Sequence, residues 1–303
     1  MTRLPRWLAC ALLIEAFAFA ASGLLFVDMK LHQDAAERDG VNQWGYRGPI
    51  VRVYRQPREQ RLVLVGGSAA FGLGTPFDET FSKYLERNLQ QRWRVGFRGI
   101  PVTVANLAAV PDDAGSFRQT LADYEYLGYD IVCFYDGYNS LTSSLDQEGW
   151  RRRSPVFRRT GYLPMLPFLL SGESPVGRPR PATSASAVAR ASVMPATATA
   201  CGPTWERYCD AMRTSVAYVL DSGRTAIVVT PPLLSPAHRE QQHALATDLL
   251  ARFGGGSTFR YLDFGSVLDL RDRDLSADGI HLTARGNDRI ADSLTGPVLQ
   301  ILK

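Results

Sequence analysis

The sequence predicts an α/β protein built on a parallel, doubly wound β-sheet. Short apolar runs rich in β-branched residues alternate with longer stretches in which apolar residues recur at helical spacing. The short runs are apolar throughout, which is typical of strands buried on both faces of a parallel sheet. Their alternation with helices indicates right-handed βαβ units. The 303 residues are 45% apolar and 21% charged, which excludes a disordered chain, a fibre and a polytopic membrane protein.

Five strands and five helices are expected in the body of the protein. The strands are predicted at 61–65, 102–106, 131–135, 226–230 and 259–262. The helices are predicted at 78–91, 116–127, 204–220, 236–253 and 285–302, with Asp78 or Thr80 as the cap of the first. Ligands of doubly wound sheets bind beyond the carboxyl ends of the strands. Function is therefore expected in the segments that follow strands, at 66–74, 106–115, 136–139 and from Pro231 onward.

An apolar stretch at 7–27 precedes the body, and Glu15 is its one charged residue. About 20 apolar residues span a bilayer as a helix. Arginines come before the stretch and acidic residues follow it, a bias that predicts a cytoplasmic N-terminus and a body on the outer side of the cell membrane. Residues 1–30 are therefore predicted to be a transmembrane anchor or a signal segment. Ala18-Phe19-Ala20 fits a cleavage site, so a secreted or periplasmic protein is the alternative, and a buried core helix is a third.

The rest of the chain is predicted to form a connector and one domain. Residues 31–60 are polar and lack clear periodicity, which predicts a juxtamembrane connector containing a turn-rich stretch at 42–49. Residues 61–303 are predicted to form a single α/β domain with a loop-rich insertion at 141–203. Within the insertion, 171–203 is dense in Ser, Ala, Thr and Pro, a composition that cannot bury a core and predicts disorder.

The insertion also contains a basic and an apolar segment. Five arginines fall within 151–159, and an apolar segment follows at 161–170. Beside an anchored domain, this combination is typical of a segment that lies on an anionic membrane surface. It is equally compatible with a cover over the active site, or with a solvated loop whose apolar part packs on the core.

Charge, cysteine and histidine content exclude several functions. The net charge of +4, from 34 basic and 30 acidic residues, gives no indication of nucleic-acid binding. Of the four cysteines, Cys201 and Cys209 either pair in an oxidising compartment or remain free thiols. His238 and His243 lie five residues apart on a predicted helix and do not share a face, so they are expected on the helix surface rather than in a metal site.

The first candidate for chemistry is Ser68, in the glycine-rich segment 66–74 directly after the first strand. Flanking glycines permit a tight turn and a close approach of substrate to the backbone, and the amide of Ser68 would help to stabilise an anion. The segment is also typical of a phosphate-binding turn or an ordinary turn. It has no Gly-x-Gly-x-x-Gly and no lysine follows to make a P-loop, which argues against a nucleotide site and leaves a nucleophile or an ordinary turn.

Two further segments supply the other groups that a serine nucleophile needs. Asp278 and His281 are three residues apart in a turn, where the carboxylate would hold one imidazole nitrogen while the other accepts the serine proton. Asn139 follows the third strand, where its side chain would donate a hydrogen bond to an oxyanion. Each segment alone is also compatible with a simple turn or helix cap.

Taken together, these segments resemble the SGNH (GDSL-type) hydrolase family over most of residues 45–300, apart from the insertion. Gly66-Gly67-Ser68 matches the family's nucleophile block, and Gly137-Tyr138-Asn139-Ser140 matches its Gly-x-Asn-Asp block. Asp278 and His281 match its Asp-x-x-His. The segment 44–49 is similar to the lead-in of membrane-tethered members. The resemblance implies a three-layer α/β/α, flavodoxin-like fold.

The sequence departs from the family pattern at three positions. Gly67 stands where the family has Asp before the serine, and Ser140 stands where it has Asp after the asparagine. Ala108 replaces the glycine of the second block, whose amide contributes to the oxyanion hole, and Ala109 is an alternative carrier of that amide. A backbone amide survives the change from glycine to alanine, but a positive φ would be strained.

The resemblance implies an exported serine esterase that hydrolyses an acyl ester, such as an O-acetyl group on an envelope glycan or lipid. The implied catalytic residues are Ser68, Asp278 and His281, with an oxyanion hole formed by Ser68, Ala108 and Asn139. No metal or cofactor is expected, and the expected partners are the ester substrate and the membrane. The alternatives are an O-acyltransferase that uses the same triad on envelope polysaccharide, and a catalytically silent protein that binds polysaccharide or an envelope partner.

Overall fold

In the computed structural model, the described residues are 5–96, 101–141, 145, 148–171 and 201–302. Most of the segment 171–203, for which the composition predicts disorder, lies outside these residues. The part of the insertion at 148–171 is described and is ordered into short helices.

The described residues form one five-stranded sheet in which every pair of neighbouring strands is parallel. The strands are β1 Gln60–Gly66, β2 Val102–Asn106, β3 Ile131–Tyr135, β4 Thr225–Thr230 and β5 Phe259–Asp263. Their spatial order is β2-β1-β3-β4-β5, which is the order of flavodoxin-like, doubly wound folds. The predicted fold class is confirmed, and each strand lies within one residue of its predicted bounds.

The α-helices of the described residues alternate with these strands after a long N-terminal helix. They are α1 Arg6–Asp39, α2 Ser68–Phe71, α3 Phe81–Gly96, α4 Phe117–Asp123, α5 Pro155–Thr160, α6 Leu166–Ser171, α7 Glu206–Asp221, α8 Pro236–Phe253 and α9 Ala284–Ile301. Helix α3 begins later than predicted because Asp78 lies in a 3-10 turn and Thr80 Oγ1 accepts from the Lys83 amide at 3.4 Å. Helix α4 ends early, before a second 3-10 turn that Gly128 closes at φ +59°.

Two apolar layers enclose the sheet because successive strand side chains point to opposite faces. On β1, Leu62 and Leu64 belong to one buried cluster, whereas Val63 and Val65 belong to the other. The first cluster is completed by α3 and α9, and the second by α4, α7 and α8. This is the three-layer α/β/α arrangement, and it leaves the carboxyl edge of the sheet free to carry a site.

Helix α1 is one continuous helix of 34 residues, so helical structure extends past the predicted boundary at residue 30 into the expected connector. Gly40 ends it at φ +71°, with its amide bonded to the Ala36 carbonyl. Its apolar portion is exposed and is long enough to cross a membrane. Asp28, His32 and Ala35 are buried against the domain, which explains why the polar part of the segment stays helical.

The described part of the insertion packs on the domain rather than lying in solvent. Trp150, Phe157 and Leu163 are buried in the same cluster as α4 and α7. Of the five arginines, Arg151 is buried and Arg152 pairs with Asp123. Part of the arginine-rich sequence therefore binds groups of the domain, and only the rest is available at the surface.

A disulfide joins Cys201 to Cys209, with their Cα atoms 6.2 Å apart. Cys209 is fully buried on α7, so the bond fixes the start of that helix to the segment that enters it. Of the two alternatives for these cysteines, the structure contains the pair. Disulfides of this kind persist in oxidising compartments.

Candidate active site

Ser68 lies where β1 ends and the four-residue helix α2 begins. Gly66 is required there, because a Cβ at this position would lie 2.2 Å from the Tyr135 carbonyl oxygen of the neighbouring strand. The serine is buried to 6% exposure at the carboxyl edge of the sheet. Its amide occupies the first turn of α2, where helix amides have no partner within the helix.

Gly67 is explained by the side chain that lies against it. A Cβ on Gly67 would approach Asn139 Nδ2 to 2.4 Å and the Asp112 carbonyl oxygen to 2.9 Å. Asn139 therefore occupies the space that a larger residue at position 67 would need. This contact gives a physical reason for glycine at the first departure from the family pattern.

A buried arginine holds the loop that follows the serine. The Arg47 guanidinium donates to the carbonyl oxygens of Phe71, Gly72 and Thr75, and it lies 4.4 Å from the centre of the Phe71 ring. Burial lowers the pKa of Arg47 to about 10, so the group remains charged at neutral pH. Gly72 turns the chain at φ +81° so that these carbonyls converge on one side chain.

The turn between β5 and α9 holds Asp278 and His281. Ser276 and Leu282 form an antiparallel bridge across it, and Ser276 Oγ donates to the His281 carbonyl while it accepts from the Gly279 amide. Gly279 adopts φ +91°, a conformation that glycine reaches without strain. The turn is thus closed by its own residues and presents both side chains toward Ser68.

Three side chains form a continuous chain of hydrogen bonds. His281 Nε2 lies 2.9 Å from Ser68 Oγ, and His281 Nδ1 lies 2.6 Å from Asp278 Oδ2. The other carboxylate oxygen, Asp278 Oδ1, accepts from the amides of Ile280 at 2.9 Å and His281 at 2.7 Å. The two residues predicted from Asp-x-x-His therefore meet the serine predicted from the glycine-rich turn, 213 positions away in the chain.

The protonation pattern follows from the carboxylate. Burial would raise the pKa of Asp278, but the hydrogen bonds from the His281 backbone and side chain, and from the Ile280 amide, hold it below its ordinary value. An ionised carboxylate only accepts hydrogen bonds, so the imidazole proton is held at Nδ1. Nε2 is then the acceptor for the Ser68 hydroxyl, which is the tautomer that a general base requires.

The residues predicted for the oxyanion hole lie near the serine but are engaged with other groups. The amide of Ala108 donates to Asn106 Oδ1 at 3.1 Å, and that of Ala109 donates to the Gly66 carbonyl at 3.1 Å. Asn139 Nδ2 donates to the carbonyls of Val110 at 3.0 Å and Asp112 at 2.8 Å. The roles of Ala108 and Asn139 remain predictions, because each donor would have to change partners to reach an oxyanion.

A polar network lies beneath Asn139. Ser140 Oγ accepts from the Ala114 amide and donates to Asp136 Oδ2 at 2.6 Å. Burial raises the pKa of Asp136 to about 7, and the hydrogen bond from Ser140 partly opposes this rise. Ser140, which stands where the family pattern has Asp, thus links the loop to the Asp136 carboxyl group four residues earlier.

His238 is buried, so the expectation that it lies on the helix surface is wrong; His243 is exposed as expected. The His238 ring packs 4.9 Å from the ring of Tyr138, and its Nδ1 accepts from the Leu234 amide. Burial lowers the pKa of His238 to about 4, so the ring is neutral at physiological pH. It serves as a packing surface for the loop that carries Asn139.

A cavity of about 10 Å³, with room for no more than a water molecule, lies beside Ser68. Its lining residues come from the ends of β1, β3 and β4: Gly67, Ser68, Ala69, Tyr135, Asp136, Tyr138, Asn139 and Pro231. In this conformation the space next to the serine admits only a water-sized group, far less than the sites of drug-sized ligands.

Two arginines that shape this site were not predicted to act there. Arg47 holds the serine loop, and Arg151 from the insertion donates to the carbonyls of Gly45, Leu107 and Ala108. Arg151 also pairs with Asp112 at 3.2 Å. In the sequence, Arg47 lies between glycines in a turn and Arg151 in a run of arginines, so no local pattern distinguishes either as buried.

The fold is similar to those of solved lipolytic and esterase structures. A family 3 carbohydrate esterase from Clostridium thermocellum is 12% identical, with 80% of this chain and 97% of that chain covered and a TM-score of 0.48. The esterase EstA from Pseudoalteromonas sp. is 12% identical, with 80% and 98% covered and a TM-score of 0.48. A member of the lipolytic G-D-S-L family from Veillonella parvula is 8% identical, with 78% and 97% covered and a TM-score of 0.47. No family model matches the sequence, and no curated protein matches it.

Proposed function

We propose that this protein is a serine esterase of the SGNH type, anchored by α1 and acting outside the cytoplasm on a short acyl ester. The observation that carries the proposal is the chain of hydrogen bonds from Ser68 through His281 to Asp278. A serine hydroxyl is a weak nucleophile until a base takes its proton, and this arrangement supplies the base together with a carboxylate to orient it.

The proposed reaction is hydrolysis through an acyl-enzyme. Ser68 Oγ attacks the ester carbonyl carbon while its proton passes to His281 Nε2. The tetrahedral intermediate collapses, the bond to the leaving alcohol breaks, and the imidazolium returns the proton to that alcohol. Water then repeats the sequence on the acyl-serine, which releases the carboxylic acid and the free hydroxyl. Asp278 stays ionised throughout and stabilises the imidazolium.

The oxyanion would be stabilised by amides and by Asn139. The Ser68 amide lies in the first turn of α2 and would be one donor. Rotation of the Asn139 side chain away from the Val110 and Asp112 carbonyls would supply a second donor. Catalytic hydrogen bonds are often formed only once substrate is bound.

The pocket and the location support a class of substrate. The narrow space beside Ser68 disfavours a long acyl chain and supports a short one such as acetyl. The exposed apolar part of α1 and the disulfide between Cys201 and Cys209 support a place at the outer face of the cell membrane. We propose an O-acetyl ester on an envelope glycan as the substrate, because such esters are chemically short and lie in that compartment.

A catalytically silent binding protein is the second candidate, and one observation favours it. The amides of Ala108 and Ala109 and the Asn139 side chain are all used in internal hydrogen bonds. In this alternative, the hydrogen-bonded serine and histidine are retained without turnover, and the pocket binds an acetylated glycan.

Hydrolysis of p-nitrophenyl acetate by the full-length protein in detergent distinguishes the two. We expect turnover by the wild type, and loss of it in both Ser68→Ala and His281→Ala by several orders of magnitude. Ser222→Ala, at the end of α7, is the matched control and should retain activity. Equal background in the wild type and Ser68→Ala, with both proteins folded, would reject the esterase and favour the binding protein.

A further inference from the structure

We propose that the face formed by α5 and α6 rests on the anionic surface of the bilayer that α1 crosses, so that the insertion is a second membrane contact. This inference rests on the membrane anchoring proposed above. It concerns a part of the chain that the esterase mechanism does not use.

The first step is the position of α6 relative to the apolar part of α1. That apolar part ends at Val27, and Asp28 is the next residue. The buried Asp28 carboxylate accepts from the amides of Met165 and Leu166, each at 2.7 Å. Because one helical residue rises about 1.5 Å, these bonds hold the first turn of α6 at the level where α1 leaves the hydrocarbon.

A second contact makes this junction rigid. The Tyr162 hydroxyl donates to Asp28 Oδ2, and the Tyr162 ring meets the edge of the His32 ring at 5.2 Å. His32 lies one turn further along α1 and is itself buried. Two consecutive turns of α1 therefore hold the insertion, so its α5 and α6 cannot move away from the bilayer without breaking these contacts.

The face beside this junction exposes large apolar side chains. Leu169 and Leu170 on α6 are 60% and 79% exposed, and Val156 on α5 is 44% exposed. Isolated exposed leucines are normal, but these adjoin a helix that enters the membrane. Short segments with such residues insert them at the boundary of headgroups and acyl chains.

The charge of the same segment is complementary to anionic lipid. Arg158 and Arg159 in the last turn of α5 are exposed, and no acidic residue occurs from 149 to 171. Juxtamembrane arginines are attracted to acidic headgroups. A second copy of this chain is a poorer occupant, because a two-fold contact through this face would bring the arginines of both copies together.

The experiment uses full-length protein, with Cys10→Ser to remove the exposed thiol of α1, in phosphatidylcholine vesicles with or without phosphatidylglycerol. An NBD label is attached at Leu170→Cys. Its matched control is Leu250→Cys, a half-exposed leucine on α8. We expect the label at 170 to shift to the blue and to be quenched by spin-labelled lipid, more strongly with phosphatidylglycerol. The label at 250 should remain in water.

A charge variant tests the electrostatic part. Arg158→Gln with Arg159→Gln should remove most of the phosphatidylglycerol effect at position 170. The control pair Arg239→Gln and Arg289→Gln, exposed on α8 and α9, should not. Hydrolysis of a soluble ester should be unchanged in both double variants, since none of the four arginines lies at Ser68.

Each of the other possible outcomes rejects either the membrane anchoring or the second membrane contact. If the protein does not float with the vesicles, the anchoring itself is wrong. If it floats while the label at 170 stays in water, only the second contact is wrong. Shielding of position 170 without quenching by lipid would assign this face to a second copy of the chain and overturn the inference. None of these results bears on whether Ser68 is a nucleophile.

Discussion

At the scale of single residues, the site depends on glycines whose missing side chains leave room for neighbouring side chains. Gly67 and Asn139 are the clearest pair, because the asparagine amide nitrogen lies only 2.4 Å from where a Cβ of residue 67 would be. The same amide is held by the Val110 and Asp112 carbonyls, so its position is set from two sides. A methyl group at position 67 would therefore act on the site through Asn139.

We predict that Gly67→Ala lowers both stability and esterase activity because it displaces Asn139. The stability loss should be about 1–3 kcal/mol, the range for overpacking. Adding Asn139→Ala should restore part of the stability, since it removes the nearest conflicting atoms but leaves the contact with the Asp112 carbonyl oxygen, and it should not restore the activity. Urea denaturation and ester hydrolysis measure the two effects.

The control for this pair is Gly296→Ala, in a helix position where a Cβ meets nothing within 4 Å. It should be neutral or slightly stabilising, because alanine is the better helix former. If Gly67→Ala were as harmless as the control, the close contact with Asn139 would not limit position 67.

At the scale of elements, the loops that follow β1 and β2 are held by charged residues from distant segments. Arg47 precedes the sheet and Arg151 belongs to the insertion, yet both donate to backbone carbonyls of the loops around Ser68. A planar guanidinium satisfies several carbonyls at once, which a lysine ammonium does not do in the same geometry. These two side chains thus replace regular secondary structure as supports of the loops.

We predict that Arg47→Lys lowers kcat for ester hydrolysis with little change in KM, because the loop behind the serine loses its support. The stability loss should be about 2–4 kcal/mol, since hydrogen bonds to a charged group contribute about 1.5–3 kcal/mol each. Arg271→Lys, at an exposed position, is the control and should change neither quantity. If Arg47→Lys were as stable as the wild type, the carbonyl oxygens of the loop must find other hydrogen-bond donors.

Asp136 makes stability depend on pH. Its folded pKa is about 7 because of burial, whereas an unfolded aspartate titrates near pH 4. Between these values the folded state binds more protons than the unfolded state, so stability should fall as pH rises from about 4 to 7. Above that window the difference is constant.

We predict that Asp136→Asn removes this slope, since the amide does not titrate and still accepts from Ser140. The free energy of unfolding should fall between pH 5 and pH 8 in the wild type but not in the variant. The difference between variant and wild type should therefore shift in favour of the variant at pH 8. Asp221→Asn, at an exposed position, is the matched control and should show the wild-type slope. An unchanged slope in Asp136→Asn would mean that another buried group is responsible.

At the scale of the whole molecule, α1 connects its exposed apolar portion to the edge of the sheet that carries Ser68. Its last residues, Asp28–Asp39, extend about 18 Å beyond the apolar part at 1.5 Å per residue. At their end, the Gly40 carbonyl accepts from the Gly48 amide at 2.7 Å, next to Arg47. Under the proposed anchoring, the helix therefore sets the distance between the bilayer and the loop that carries Ser68.

The disulfide gives a prediction at this scale, because it connects the described end of the insertion to the core. Cys201→Ser should lower the free energy of unfolding by about 2.5 kcal/mol, the chain-entropy value for a loop of eight residues. A reducing agent should have the same effect on the wild type and none on the variant. Stability that is insensitive to reduction in the wild type would contradict a structural role for the bond.

The strands and the helix alternation were predictable because their signals are local. A run such as Val102–Asn106 is apolar and β-branched wherever it lies, and its bounds agree with the prediction. The same holds for α8, which spans Pro236–Phe253 as predicted and begins with a proline, a residue favoured at helix starts. The residue types at Ser68, Asp278 and His281 likewise predicted a nucleophile, a base and a carboxylate before their positions in space were known.

Burial of polar residues was not predictable in this way. His238 on α8 has the sequence context of a surface residue, but the Tyr138 ring covers it. Arg47, Arg151 and Asp28 are charged residues whose partners are carbonyl or amide groups many residues away. No local pattern encodes such partners, since they exist only after the chain has folded.

The sequence by itself therefore determined the class of fold, the apolar N-terminal segment and the residue types of the proposed triad, because each depends on short-range spacing. Only the tertiary structure decided that Ser68 Oγ and His281 Nε2 are 2.9 Å apart, that Asn139 and the Ala108 amide are engaged with neighbouring groups, and that the insertion binds α1. The physical reason is that hydrogen bonds and burial are set by distances in space, and residues 213 positions apart acquire such distances only through packing of the whole sheet.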